Sequence, residues 1–157
     1  MYILQTIRET NPTLAENLEA FAYESSIAFC YPCYVEAIDS NDGPRCPKCH
    51  SDDLARLLCG VGVDWGVLWI LEHIVTEKVP AVNIDEMFED HVSDCYGGDC
   101  QIGWLNIDVA HAIKNLDAVS WRIAKSEYAD SLIEDGELVE GQDGNYYWVS
   151  DLEKHLL

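Results

Sequence analysis

Two short cysteine pairs constrain this chain more than any other feature of its sequence. Cys30-Tyr31-Pro32-Cys33 is followed, after twelve residues, by Cys46-Pro47-Lys48-Cys49. Two Cys-x-x-Cys pairs at this separation can place four thiolates around one tetrahedral ion, at metal–sulfur distances of about 2.3 Å. Four sulfur ligands leave no open coordination position, so the spacing predicts a structural rather than a catalytic Zn²⁺ ion. The predicted zinc ligands are Cys30, Cys33, Cys46 and Cys49.

The sequence around these pairs resembles a zinc ribbon. The stretch FCYPCYVEAIDSNDGPRCPKCHSDDLARL carries the resemblance, most closely in its second half, Cys-Pro-Lys-Cys-His-Ser-Asp-Asp-Leu. Zinc ribbons often have Gly directly after each pair, where this chain has Tyr34 and His50, so His50 is an alternative ligand. The resemblance covers about residues 27–58 and implies a module rather than an activity, because zinc ribbons occur in transcription proteins, enzymes and scaffolds.

Composition favours a globular protein of the cytoplasm. The chain has 157 residues, of which 48% are hydrophobic, and five tryptophans, which suits one compact core. Its start does not read as a signal peptide, and no apolar run approaches the roughly 20 residues of a membrane span. We therefore expect a cytoplasmic protein without membrane contact. In a reducing compartment, seven cysteines favour metal binding over disulfides.

Net charge is the second strong signal. The chain carries 29 acidic and nine basic residues, for a net charge of −20. Residues 61–157 hold twenty of the acidic and five of the basic residues. This charge repels phosphate backbones, so we expect no direct binding of nucleic acid. The expected partner is a protein with a basic surface, although the same charge can serve solubility alone.

The sequence patterns predict an α+β fold, a helical protein with an inserted zinc-ribbon β-hairpin module. We expect an N-terminal helix within residues 1–26, the ribbon at 27–58, and an acidic α+β region at 59–157 that packs with the N-terminal helix as one unit. Asn11-Pro12 is a strong helix start. Asp64–Glu77 reads as a helix with apolar residues all round, which predicts a central position in the core.

The C-terminal part is predicted to contain two helices followed by a β-hairpin. The helices span 106–114 and 118–134, and the hairpin strands lie on either side of the turn at 141–144. This order resembles a winged helix, but the helix that would enter a DNA groove offers only Arg122 and Lys125 among many carboxylates. The sequence of this tail is loosely similar to the sequences of small accessory proteins of phages and plasmids, in the stretches LDAVSWRIAKSEYADSLIEDGELVE and YYWV.

Carboxylates crowd two predicted helices and form the candidate partner-binding surface. Residues one helical turn apart lie about 5–6 Å from each other. This spacing approaches the roughly 6–7 Å between successive phosphates of a nucleic acid strand. The alternative is that these are ordinary solvated helix faces. The candidate residues are Asp85, Glu86, Glu89, Asp90, Glu127, Asp130, Glu134 and Asp135.

A weaker cluster suggests a second metal site. His91 and Cys95 are four residues apart, on one face of a predicted helix, and Cys100 follows. The alternative is that these cysteines pack at a helix end. The chain has no phosphate-binding glycine loop, no Gly-x-Ser-x-Gly elbow and no His-Glu-x-x-His motif, so we expect no catalytic activity.

These observations predict a non-enzymatic zinc-ribbon protein that acts by binding another protein. The favoured hypothesis is an acidic mimic of nucleic acid that inhibits a nuclease or DNA-binding complex, as anti-restriction and anti-CRISPR proteins do, which this chain resembles in size and charge. One alternative is an adaptor or regulator that docks on the transcription machinery. Another is a metalloenzyme that uses the region of His91, Cys95 and Cys100.

Overall fold

The computed structural model describes residues 1–157 and contains seven helices and four antiparallel sheets, which confirms the α+β class. The helices are α1 Ile3–Thr10, α2 Pro12–Glu24, α3 Leu68–Lys78, α4 Ile84–Tyr96, α5 Val109–Leu116, α6 Ala118–Glu134 and α7 Val149–Leu156. The strands are β1 Ile27–Cys30, β2 Val35–Glu36, β3 Ile38–Ser40, β4 Gly43–Arg45, β5 Ala55–Leu58, β6 Gly62–Asp64, β7 Asp99–Ile102, β8 Leu105–Asp108, β9 Leu138–Glu140 and β10 Tyr146–Trp148.

The cysteine-rich segment folds as a small sheet with a hairpin beside it. The sheet has the order β2-β1-β5-β6, and Ile27 of β1 lies opposite Leu57 of β5. The strands β3 and β4 pair separately, with Ile38 opposite Arg45. Asn41 and Asp42 form the turn between these two strands. The sheet continues through β6 to Asp64, beyond the end of the stretch that resembles a ribbon.

The N-terminal region contains two helices, where the sequence predicted one. Asn11 separates them because its backbone N–H donates to the carbonyl of Ile7, while its side-chain oxygen accepts from the N–H of Leu14 at 3.1 Å. The predicted start at Asn11-Pro12 is correct for α2. Helix α1 was missed, although Ile3, Leu4 and Ile7 show the spacing of one buried helix face.

The apolar helix in the middle of the chain begins later than predicted. Asp64 belongs to β6, opposite Arg56, and Gly66 has a φ of +71°, so the backbone turns before α3 can begin at Leu68. Trp65, predicted to lie on the buried helix, is 51% exposed. The helix itself is central, as its apolar sequence predicts, because Ile70, Leu71 and Val75 are fully buried.

The main core joins the two ends of the chain. Helices α1, α2 and α3 pack with the β9–β10 hairpin and with α7, whose Leu152 and Leu156 are buried. A second, smaller cluster lies within α4, α5 and α6. Its buried members are Phe88, Val92, Ala110 and Trp121. The acidic helices α4 and α6 are therefore held together by their own apolar contacts.

The region between α4 and α7 differs from the prediction at one hairpin. β7 and β8 pair along residues 99–108 as a hairpin that was not predicted, so α5 begins at Val109 rather than at Asn106. Helix α6 and the β9–β10 hairpin lie where they were predicted. The two hairpins form separate sheets. No helix has both the length and the apolar character needed to cross a membrane.

Candidate metal centre and acidic surface

The four predicted zinc ligands come together in space. Cys30 ends β1, Cys33 lies in the turn before β2, and Cys46 and Cys49 flank the turn after β4. Their sulfur atoms all lie within 4.8 Å of one another. The Sγ atoms of Cys30 and Cys49 are 3.7 Å apart, far longer than a disulfide bond of about 2.05 Å. Neighbouring sulfurs around tetrahedral zinc lie about 3.8 Å apart, so the cluster fits a metal ion.

Backbone groups shape the second cysteine turn for metal binding. The N–H groups of Lys48 and Cys49 both point to the Sγ of Cys46, at 3.4 Å. These contacts favour a thiolate at Cys46, the form that binds metal. The N–H of His50 donates to the carbonyl of Cys46 at 2.9 Å and closes the turn.

Both residues that replace the usual glycines adopt the left-handed conformation. Tyr34 has a φ of 52° and His50 a φ of 60°. Glycine adopts this region without a steric cost, which explains why it is common after each pair in zinc ribbons. The ring of His50 is not among the donor atoms of the metal-sized cluster, which consists of the four cysteines alone.

The thiols of the cluster differ in acidity. Burial of Cys46 opposes ionisation, but the N–H groups of Cys49 and Lys48 outweigh it and lower the pKa of Cys46 to about 6. A hydrogen bond from the Cys33 thiol to Cys49, together with burial, raises the pKa of Cys33 to about 12. A metal ion must therefore displace protons from part of the cluster, which couples metal affinity to pH.

The residues of the weaker second cluster do not assemble in the same way. The Sγ of Cys95 and the Nε2 of His91 are 3.7 Å apart on α4. The His91 ring also stacks on Tyr128, with 4.4 Å between ring centroids. Cys100 lies on β7, and the structure contains no second group of three or more such donor atoms within metal-binding distance. The structure therefore brings together two of the three predicted residues, His91 and Cys95.

The two acidic segments of the sequence lie on helices that pack against each other. Asp85, Glu86, Glu89 and Asp90 belong to α4, and Glu127, Asp130 and Glu134 to α6, with Asp135 directly after it. Two of these carboxylates form salt bridges within the protein. Lys125 of α6 donates to Asp85 at 2.6 Å, and Lys114 of α5 donates to Glu89 at 2.8 Å. The other six are exposed and form no salt bridge.

An apolar groove between α4 and α6 was not foreseen from the sequence. Its volume is about 550 Å³. Helix α4 contributes Phe88, His91, Val92, Cys95 and Tyr96, and α6 contributes Ser120, Trp121, Ala124, Glu127, Tyr128 and Ser131. Both sets repeat at helical spacing, a signal that the sequence contained.

No family model, curated protein or solved structure matches this chain in comparisons with known proteins.

Proposed function

We propose that this protein is a non-enzymatic zinc-ribbon protein of the cytoplasm whose acidic surface binds a basic, nucleic-acid-binding protein. The acidic surface would occupy the part of the partner that normally binds the phosphates of nucleic acid. This protein would thereby inhibit a nuclease or a DNA-binding complex. The observation that carries the proposal is the set of six exposed, unpaired carboxylates on the adjacent segments α4 and α6. They are Glu86, Asp90, Glu127, Asp130, Glu134 and Asp135.

The charge balance of the whole surface supports this proposal. Only four salt bridges form, and they involve four of the 29 acidic residues. Each of the two lysines between the acidic helices is already bound to a carboxylate. The protein's own cations therefore leave the negative electrostatic potential of this surface largely unneutralised. Such a potential accelerates association with a basic partner and favours partners with phosphate-binding surfaces.

In this proposal zinc has a structural role. The four sulfurs fit a closed tetrahedral site, in which no position remains for a substrate or an activated water molecule. Zinc would hold the small sheet β2-β1-β5-β6, of which few side chains are fully buried. Thiolate ligands also suit Cu(I) and iron–sulfur clusters, so the bound metal must be identified by elemental analysis.

The experiment is a matched pair of charge reversals. One variant carries Glu127→Lys, Asp130→Lys and Glu134→Lys on α6, and the control carries Glu9→Lys, Glu16→Lys and Glu24→Lys, which are equally exposed on α1 and α2. Both change the net charge by the same amount. Asp85 and Glu89 are left intact because their ion pairs join the helices.

Binding is measured against a nucleic-acid-binding protein captured from the natural host by the wild-type chain. The α6 variant should bind it at least about tenfold more weakly, because like charges then face each other. The control variant should change affinity much less. The wild-type chain should also displace DNA from the captured protein. Equal losses in the two variants, or no loss in either, would contradict the proposed surface.

The adaptor hypothesis is the second candidate. The order α5, α6, β9 and β10 supports it, because two helices followed by a hairpin resemble a winged helix. An adaptor would bind its partner and leave the partner's affinity for nucleic acid unchanged. The displacement measurement therefore separates the two functions.

A further inference from the structure

The groove between α4 and α6 is an uncovered apolar surface. Phe88, Val92 and Trp121 form its buried floor, while Tyr96 at one end is 74% exposed. Ile113 of α5, which also lines the groove, is another exposed large apolar side chain. An apolar groove with exposed apolar side chains at its edge is typical of a surface that another molecule covers.

The shape of the groove fits a helix. Its lining runs from Phe88 to Tyr96 on α4, about 12 Å along the helix axis, and from Ser120 to Ser131 on α6, about 16 Å. A docked amphipathic helix presents apolar side chains at positions i, i+3 or i+4, and i+7, which span about 10 Å. The groove is therefore long enough for two turns of a partner helix.

The charge around the groove indicates which kind of helix fits it. Glu127 lies in the lining itself, and Glu134 follows two turns along the same side of α6. No lysine or arginine lines the groove, and Lys114, whose Nζ lies 5.8 Å from the centre of the Trp121 ring, is already paired with Glu89. An apolar floor with a negative rim is complementary to a helix that has lysine or arginine on either side of an apolar stripe.

We propose that the α4–α6 groove binds a basic amphipathic α-helix of the partner protein. This inference rests on the proposed function for the basic character of the partner, and it adds the recognition element and the site. The apolar stripe of the partner helix would lie on Phe88, Val92 and Trp121, and its cations would face Glu127 and Glu134 on α6.

The test uses a designed peptide as the probe. The peptide is a helix of about four turns, with leucine at i, i+3, i+4 and i+7 and lysine at the flanking positions. A second peptide has glutamate in place of each lysine, and a third has the composition of the first in scrambled order. Titration of the full chain is followed by NMR, with the amides of Ala124 and Tyr128 and the indole of Trp121 as reporters of the groove.

Two variants of α6 provide the control. Ala124→Arg places a large cation in the groove, whereas Ser126→Arg adds the same charge at an exposed position of α6 outside the lining. Both positions are exposed, and arginine is a good helix former, so both variants should fold. We expect the leucine–lysine peptide to shift the groove signals. Ala124→Arg should weaken its binding at least about tenfold and Ser126→Arg less than about threefold.

Several results would overturn the proposal. They are absence of binding by the leucine–lysine peptide, equal binding of the glutamate or scrambled peptide, and equal weakening by the two variants. A wild-type chain that dimerises through the groove, with Ala124→Arg as a monomer, would assign the groove to a second copy instead.

The peptide experiment and the test of the proposed function can fail independently of each other. If the peptide binds as expected but no nucleic-acid-binding protein is displaced from DNA, the groove stands and the mimicry fails. If DNA is displaced but Ala124→Arg has no effect on the peptide, the acidic surface acts without the groove.

Discussion

Glu72 is a buried carboxylate that joins distant parts of the chain. It is 8% exposed on α3, and one oxygen accepts the N–H of Ile3 at 2.6 Å, at the start of α1. The other oxygen accepts the N–H of Gln142 at 3.3 Å, in the turn between β9 and β10. Because an unpaired buried N–H is costly, this side chain stabilises both contacts at once.

We expect Glu72→Ala to lower the free energy of unfolding by about 1–3 kcal/mol, since two backbone donors lose their acceptor. The measurement is chemical denaturation at neutral pH. Glu77→Ala is the control, because Glu77 is exposed on the same helix. Equal effects of the two variants would show that the contacts of Glu72 contribute nothing to stability.

Glu72 also predicts a pH dependence. Burial raises the pKa of Glu72 above its ordinary value of 4.5, against the opposing hydrogen bonds from Ile3 and Gln142. A raised pKa in the folded state means that the favourable contribution is complete below about pH 4.5 and is lost as pH rises through the folded pKa. The stability of the wild type relative to Glu72→Gln should therefore fall across that range. A difference that grows with pH would contradict this sign.

His50 tests the geometry of the metal site. Its φ of 60° is strained for a residue with a Cβ atom, and its ring lies outside the cluster of sulfur atoms. We expect His50→Gly to keep one equivalent of metal and full resistance to chelator, whereas His50→Val should lower the metal affinity. Elemental analysis of the purified variants checks this. Loss of metal in His50→Gly would make His50 a ligand.

At the scale of elements, one arginine joins the small sheet to the end of α2. Few of its side chains are fully buried, among them Phe29 and Ala55. Arg56 of β5 donates to the carbonyls of Tyr23 and Ser26 at 2.6 Å and to the hydroxyl of Ser26 at 3.0 Å. These bonds fix the end of α2 to the sheet, and we expect a metal ion on the four cysteines to supply much of the stability of the sheet itself.

We expect Cys46→Ser to unfold the segment from β1 to β6, because structural zinc can contribute on the order of 10 kcal/mol to such a module. Amides of that segment should lose hydrogen-exchange protection, while those of α3 remain protected by the main core. Cys59→Ser is the control, since Cys59 is exposed outside the cluster. A protected sheet without bound metal would disprove the structural role.

At the scale of the whole molecule, charge decides what the surface can bind. The net charge of −20 opposes the release of counterions that drives non-specific binding to DNA. We expect no measurable binding to duplex DNA at physiological salt. A mobility-shift titration checks this, with the triple lysine variant of α6 as a control for the role of charge. A dissociation constant in the low micromolar range or tighter would contradict the electrostatic argument.

Several features of this protein could be predicted from the sequence because they depend on neighbours in the chain. The spacing of the four cysteines is enough to bring their sulfurs together, since each pair lies in one tight turn. Asn11 with Pro12 sets the start of α2, and the turn at 141–144 sets the last hairpin. The composition alone determines the excess of negative charge.

Other features depend on which elements meet, and only the tertiary structure decided them. Asp85 and Glu89 looked as free as Glu86, but Lys125 and Lys114 reach them from other helices. Glu72 accepts hydrogen bonds from backbone donors that are about seventy residues away in the chain. The groove likewise exists because α4 and α6 pack side by side with part of each apolar face uncovered. Helical periodicity shows that a face is apolar, whereas packing determines how much of that face is covered.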